Sequence, residues 1–195
     1  MAKRRRRVDY ELDTGDVKLL TEEEIVHILR AADDLIGTGG RNMLAKTLKG
    51  SKDKKVLEHG MDKCPAYGYY KDLTLDEIMH RVDWCICHRF LEITYDYGRL
   101  PFLKFSEWGW EIERETYSRE LFQTMVKQSK RKTYSIVKEM EQVNRQVKFR
   151  IIEIAAEEAD ERILPVLEEW KATEVKKIRV AISNAQTIIS QRYTE

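Results

Sequence analysis

Apolar residues recur at three- and four-residue intervals directly after Thr21, which is the spacing of one face of an α-helix. Thr21 is followed three residues later by Glu24, and this pair is the signature of a capping box at a helix start. Gly37–Gly40, with the sequence Gly-Thr-Gly-Gly, ends the pattern. The chain therefore predicts a first helix between these two signals, with an inward face of Ile25, Ile28, Leu29, Ala32, Leu35 and Ile36.

Two more helices and a hairpin are predicted after the glycines. Residues 41–48 continue with a helical pattern, and Thr74 with Glu77 forms a second capping pair at the start of a third helix. Residues 91–105 read as two short strands, 91–95 and 100–105, around turn formers at 96–99. The order helix, helix, loop, helix, hairpin is that of a winged helix-turn-helix.

The second half of the chain has a different pattern, because almost no helix breaker occurs between Ser106 and Pro165. Apolar residues at three–four spacing predict one long amphipathic helix over residues 137–154. Leu164 and Pro165 should open a second helix, since proline is tolerated in a first turn. We expect the two helices to pair as an αα-hairpin, and a homodimer or a docking surface for another protein is the alternative use of the apolar stripe.

These patterns predict a mainly α (α+β) chain in three parts: a flexible tail at residues 1–18, a winged-helix domain with a β-wing at 19–108, and long C-terminal helices at 109–195. The tail carries a basic cluster, Lys3–Arg7, followed by acidic residues. Such a cluster contacts phosphates, acts as a localisation signal or is simply solvated.

Composition favours a soluble protein inside the cell. Of 195 residues, 42% are hydrophobic and 35% charged, with a net charge of +1. No apolar stretch approaches the roughly 20 residues that a membrane helix needs, and none follows the basic N-terminus as in a signal peptide. Cys64, Cys85 and Cys87 fit a reducing compartment. We expect a cytoplasmic protein that is associated with the nucleoid if bacterial, or nuclear if eukaryotic, and that has no membrane partner.

Two loops carry the most distinctive residues. Residues 48–60 read Leu-Lys-Gly-Ser-Lys-Asp-Lys-Lys-Val-Leu-Glu-His-Gly, and residues 67–74 read Tyr-Gly-Tyr-Tyr-Lys-Asp-Leu-Thr. With these motifs, residues 20 to 105 resemble the RQC domain of RecQ-family DNA helicases. In that family a Leu-Arg-Gly-Ser-Lys-like stretch precedes a Tyr-Gly-x-Gly-Lys loop, a helix and a β-wing. The resemblance implies a DNA-binding winged helix.

The chain departs from the family pattern at three points. Lys49 replaces the arginine before Gly-Ser, which keeps the charge but loses the bidentate fork. Tyr70 replaces the second glycine of the Tyr-Gly loop. The family's helicase domains and four-cysteine zinc region should lie upstream, and the residues before Thr21 leave no room for them. We therefore expect a stand-alone, non-catalytic DNA-binding module.

The candidate DNA-binding residues form two groups. The first is a run of basic residues that is offset only by Asp53, and phosphates need such local positive charge. The resemblance places Lys49, Ser51, Lys54 and Lys55 at the phosphate-contacting edge with Lys71 beside it, and Arg41 and Lys52 complete the run. The second group, Tyr95, Tyr97 and Arg99, lies at the predicted wing tip, where the resemblance implies a ring that wedges at a duplex end. The alternatives are a solvated patch and a turn-flanking surface aromatic.

No pattern indicates catalysis, a cofactor or a metal site. The Cys-Ile-Cys sequence at residues 85–87 lies within a predicted helix and is poorly spaced for zinc. The leading hypothesis is binding to DNA duplex ends, forks or junctions in replication, recombination or repair. One alternative is a protein-interaction module or accessory subunit of a helicase-like complex, and another is a sequence-specific transcription regulator.

Overall fold

The computed structural model describes residues 11–95 and 100–192, and this part of the chain is mainly helical with one two-stranded antiparallel hairpin. The chain divides into two compact units, with the division between Glu113 and Arg114. The expected winged-helix fold class, with long helices after the wing, is confirmed.

The first unit follows the predicted element order, with a short extra helix in the basic stretch. Its elements are α1 (Glu22–Asp33), α2 (Arg41–Lys49), α3 (Lys54–Glu58), a 3-10 turn (Met61–Lys63), α4 (Leu75–Cys87), β1 (Leu91–Tyr95), β2 (Pro101–Phe105) and the start of α5 (Glu107–Lys130).

Both predicted capping boxes are present and fix the starts of α1 and α4. Thr21 Oγ1 accepts the Glu24 N–H at 3.2 Å, and the Glu24 carboxylate accepts the Thr21 N–H at 2.9 Å. Thr74 and Glu77 repeat this pattern at 3.3 and 2.7 Å. Each box satisfies donors that a helix start leaves without intrahelical partners.

The hairpin of β1 and β2, which we call the wing, is held by more than its own two strands. Ile93 lies opposite Leu103 in the antiparallel register. The Leu103 N–H donates to the Gly39 carbonyl at 2.9 Å, and the Leu103 carbonyl accepts the Gly37 N–H at 3.1 Å. The glycine segment that ends α1 therefore also anchors β2. A two-stranded hairpin is only marginally stable alone, so this anchoring positions the wing.

The core of the first unit lies among α1, α2, α4 and the wing. Helical periodicity predicted the inward faces that supply most of its largest fully buried side chains, which are Ile28, Leu29, Leu35, Leu44, Leu48 and Ile78. Met61 in the 3-10 turn and Leu91 and Leu103 in the wing strands complete the set.

The structure describes the expected flexible tail, residues 1–18, only from Glu11 onward. Its residues 1–10, with the Lys3–Arg7 cluster, lie outside the described residues. From Glu11 onward the chain lies against the first unit: the Asp13 N–H donates to the Asp83 carboxylate at 3.0 Å, and Leu20 is buried in the core. Sequence reasoning missed this contact because one backbone N–H bonding one carboxylate leaves no periodic pattern.

The second unit contains shorter helices than the sequence predicts. After α5 the elements are α6 (Ile136–Glu139), a 3-10 turn (Met140–Gln142), α7 (Arg145–Glu158), a 3-10 turn (Glu161–Ile163), α8 (Leu164–Thr173) and α9 (Lys176–Arg192).

The expected long helix over residues 137–154 is interrupted before Arg145. Asn144 is extended and its side chain accepts the Gln146 N–H at 2.8 Å, so it caps a new helix instead of continuing the old one. Upstream, the Gln128 side chain accepts the Ile136 N–H at 2.9 Å. Polar side chains that bond to nearby backbone compete with the helix, and the apolar spacing alone does not register them.

A second interruption divides the other predicted helix into α8 and α9. Glu174 is extended, and its carboxylate accepts from Lys148 Nζ at 2.6 Å and from Trp170 Nε1 at 2.9 Å. Helix α9 packs against both α7 and α8, with Ile178 and Ile182 buried. The expected two-helix hairpin is thus a three-helix packing, in which a carboxylate at the break holds the ends of two helices.

The end of α2 and the Tyr67–Lys71 loop are joined backbone to backbone. The Gly68 N–H donates to the Thr47 carbonyl at 3.0 Å, and the Tyr70 N–H donates to the Leu48 carbonyl at 2.9 Å. Gly50 has φ +75°, and a Cβ there would lie 3.1 Å from Gly68 Cα. The two sequence motifs are therefore one structural element, because each supplies the backbone that the other contacts.

We expect Gly50→Ala to destabilise the first unit more than Gly60→Ala does. Gly60 has a similar φ of +69° but nothing within 4 Å of its Cβ position, so its substitution carries only the left-handed backbone cost, about 1–2 kcal/mol. Gly50→Ala adds a clash with Gly68, which we expect to cost roughly 1–3 kcal/mol more, as overpacking does.

Urea denaturation of both variants and the parent protein measures this difference as free energy of unfolding. Equal losses at the two positions would contradict the close contact between the loops.

Candidate nucleic-acid interface

The loop between α2 and α3, together with the first turn of α3, presents an exposed group of lysines. We call residues 50–55 the basic loop. Lys52, Lys54 and Lys55 are all exposed. Lys54 lies 3.5 Å from Glu58, one helical turn later, and both side chains are more than half exposed. Such a surface pair is worth only about 0.3–0.5 kcal/mol, so a phosphate can compete with it.

Asp53 is the one acidic residue in this loop, and its charge is already offset. Its carboxylate accepts from Lys46 Nζ at 2.8 Å and from the Lys55 N–H at 2.9 Å. The hydrogen bond from Lys46 is the main cause that lowers the pKa of Asp53, and the Lys55 N–H adds to it. Because Lys46 pairs with Asp53, the exposed lysines of the basic loop keep their net positive charge.

Lys49 has a different position from the one expected for a phosphate contact. Its Nζ donates to the Lys71 carbonyl at 2.5 Å and to the Leu73 carbonyl at 2.6 Å. These bonds tie the end of α2 to the chain that leads into α4. Lys49 therefore positions the neighbouring loop, and Lys71 contributes both an accepting carbonyl and an exposed side chain at this edge.

Hydrogen bonds from two neighbours hold Ser51 in place, and they use its oxygens as acceptors, so the hydroxyl hydrogen can still be donated. Its carbonyl accepts the Tyr67 hydroxyl at 3.1 Å, and its Oγ accepts the Asp53 N–H at 3.2 Å. Sequence reasoning did not assign this role to Tyr67, because a tyrosine in a turn-rich loop gives no signal of its bonding partner. The arrangement presents the Ser51 hydroxyl beside Lys52 on a rigid backbone.

Arg41 does not join this group. It begins α2, so it lies at the opposite end of the helix from Gly50, roughly 13 Å away at about 1.5 Å of rise per residue. Its guanidinium bonds both oxygens of the nearly buried Asp83, at 2.5 and 2.6 Å. The expected basic run is therefore divided between a surface loop and a buried ion pair.

The structure describes only part of the wing-tip group. Tyr95 is half-buried at the end of β1, opposite Pro101. Tyr97 and Arg99 lie outside the described residues, so their expected roles stay predictions.

Two cavities adjoin these elements, and Asn42 lines both. One, of about 190 Å³, also touches Lys46, Asp53 and Lys55. The other, of about 400 Å³, lies between the starts of α2 and α4 and the wing. Sequence reasoning did not single out Asn42, because an exposed polar residue in a first helical turn carries no pattern that marks a cavity.

Metal and membrane features are absent from the part of the chain that the structure describes. There, no three His, Cys, Asp or Glu side chains are grouped so that they could hold a metal ion. Cys64 and Cys85 are buried, and burial raises the pKa of the Cys85 thiol to about 12. Within residues 11–95 and 100–192, no helix combines the length and apolar character of a membrane span.

Comparison with known proteins matches the region that contains both loops and the wing. The family model of the RQC domain matches residues 21–132. A 70-residue stretch is 36% identical to the ATP-dependent DNA helicase RecQ of Bacillus subtilis (strain 168). That stretch is 36% of this chain and 12% of the helicase, so the chain corresponds to a small part of that protein. No solved structure matches.

The family match covers more than half of the 195 residues and includes the two joined loops, the capped helix α4 and the wing. The resemblance that the Gly50-Ser51 and Tyr67-Gly68 motifs indicated is confirmed, and the chain belongs to the RQC domain family.

Proposed function

We propose that this chain binds DNA by its backbone and shape, with the basic loop on the phosphates and the wing at a duplex end. The observation that carries the proposal is the exposed set Lys52, Lys54 and Lys55, whose only acidic neighbour in the loop is paired with Lys46. Positive charge held in a fixed geometry releases counterions from DNA on contact, and this term dominates binding that is independent of sequence.

The family supports the same proposal. The matched relative is named a DNA helicase, and the chain shares with it a segment that is too short to carry that protein's whole activity. We propose a non-catalytic module that acts on duplex ends, forks or junctions in replication, recombination or repair. In a bacterium it would be associated with the nucleoid, and in a eukaryote it would be nuclear.

The second unit favours one alternative, an interaction module or accessory subunit of a helicase-like complex. Val180 and Ile188 are eight residues apart on α9, and each is more than 40% exposed. These two exposed apolar side chains lie about two turns apart on α9 with Asn184 between them, and they are available to a protein partner or a second copy. DNA binding that depends steeply on salt distinguishes the leading proposal from this one. A third alternative, a transcription regulator, requires strong preference for one duplex sequence.

We expect Lys54→Glu combined with Lys55→Glu to weaken binding to duplex, forked and single-stranded DNA alike, by about tenfold or more at low salt. The slope of log K against log salt should fall by about one for each lost phosphate contact. Fluorescence anisotropy with oligonucleotides of each form at several salt concentrations measures both quantities.

The matched control is Lys176→Glu with Lys177→Glu, which makes the same charge change at exposed positions of the second unit. Equal weakening by both pairs would show that only net charge matters. If the parent protein binds no DNA form more tightly than tens of micromolar at low salt, the proposed function is wrong.

We expect Tyr97→Ala to weaken binding to forks and duplex ends more than binding to long internal duplex. A ring at the wing tip replaces a lost stacking partner, which is worth about 1–3 kcal/mol per base. Tyr97→Phe keeps the ring and should keep the preference. Competition between forked and closed-end duplexes measures it, and equal losses on both substrates would remove the wedge from the proposal.

A further inference from the structure

The larger of the two cavities lies at the base of the wing, and we call it the wing-root cavity. Its volume is about 400 Å³, and Asn42, Asp76, Met79, Ile93 and Phe102 are among the residues that line it. This volume is at the small end of the range for ligand sites, about 300–1,000 Å³. The cavity is lined by α2, α4 and both strands of the wing.

The lining combines apolar walls with a few polar groups. Met79, Ile93 and the Phe102 ring offer surfaces on which a flat group can pack. Asn42 is exposed, and its side-chain amide bonds to no residue in the described ranges, so it can donate and accept. Arg41 also lines the cavity, but its guanidinium is paired with Asp83. Asp76 adds acceptor oxygens and a negative charge, which disfavours a phosphate inside the cavity. A planar, uncharged ligand with N–H donors fits this set.

The wing-root cavity and the cavity beside the basic loop have one lining residue in common. Asn42 lines the wing-root cavity and also the smaller cavity of about 190 Å³ that touches Lys46 and Lys55. Asn42 thus lies between the side of α2 that faces Lys55 and the side that faces the wing, where a strand with a phosphate on Lys55 can reach it. The lysines of the basic loop suit the phosphate of a nucleotide, and the apolar, hydrogen-bonding wing-root cavity suits its base.

We propose that the wing-root cavity receives one unpaired nucleobase of the strand whose phosphates contact the basic loop. This inference rests on the proposed DNA binding and adds a base-binding site to it. The base must leave the stack, because its flat faces and hydrogen-bonding edge are otherwise occupied in a duplex. The Phe102 ring gives a stacking surface, and Asn42 and Asp76 meet the edge without requiring one particular base.

The test uses the full chain and a forked oligonucleotide in which each base of the single-stranded arms is replaced in turn by an abasic residue. We expect base removal at one position to weaken binding about tenfold, as the loss of one stacked base does, with smaller effects at other positions. Met79→Trp fills the cavity and should weaken binding to the intact fork by the same factor, and the abasic residue should then cause no further loss. Met79→Leu, which keeps the space, should bind like the parent protein.

Asn42→Ala is the second variant, because Asn42 is exposed and its loss should leave thermal unfolding unchanged. It should weaken binding to the intact fork but not to the abasic one.

If every abasic position binds equally while Lys54→Glu with Lys55→Glu still weakens binding, the nucleobase site is wrong and the proposed function stands. If the cavity variants leave DNA binding unchanged, the nucleobase site is also wrong. Failure of all DNA binding overturns both proposals.

Discussion

Backbone contact between Gly50 and Gly68 is the constraint on which the proposed interface depends. A Cβ at Gly50 would lie 3.1 Å from Gly68 Cα, which is closer than most Cβ contacts, and the left-handed φ of +75° at Gly50 also favours glycine. This approach lets Thr47 and Leu48 at the end of α2 give their carbonyls to the second loop. A helix end thus gains partners for groups that its own turns cannot satisfy, and the basic loop gains a fixed frame.

The lysines at the end of α2 and in the basic loop have two different roles. Lys46 pairs with Asp53, and Lys49 donates to two carbonyls, so both serve the fold. Lys52, Lys54 and Lys55 are left to act on the solvent side. Lys46 and Lys49 restrict the backbone of the loop, so the backbone that carries the other lysines loses little further entropy when a phosphate binds. The sequence shows only a run of lysines, in which these two roles look alike.

Local signals in the sequence predicted the first unit well. The Thr21 and Thr74 capping boxes, the helical faces and the wing strands depend on residues close together along the chain, and each is present. The family resemblance identified the two loops whose contact proved to be structural. Arg41 illustrates the limit: its partner Asp83 lies 42 residues away, and no spacing rule indicates that a buried carboxylate removes this arginine from the surface.

The start of α8 at Leu164, next to Pro165, was predicted, but two other helix boundaries of the second unit are set by polar side chains. Asn144 and Glu174 interrupt apolar stripes whose spacing continues across the break. Trp170 and Ile151 belong to the apolar three–four spacing and are buried. The spacing therefore predicted these core residues but not the helix boundaries. The candidate cavity was also outside the reach of pattern reasoning, because Asn42, Asp76 and Phe102 come from three separate elements.

The anchoring of β2 by the glycine segment also bears on self-association. An uncovered strand edge is a template for strands of other molecules, and proteins protect such edges with short strands, charges or a covering loop. The wing has all three: each strand has five residues, Glu92 and Lys104 are exposed and charged, and Leu103 pairs with Gly37 and Gly39. The hairpin can therefore project toward a ligand without offering β2 as an open edge for aggregation.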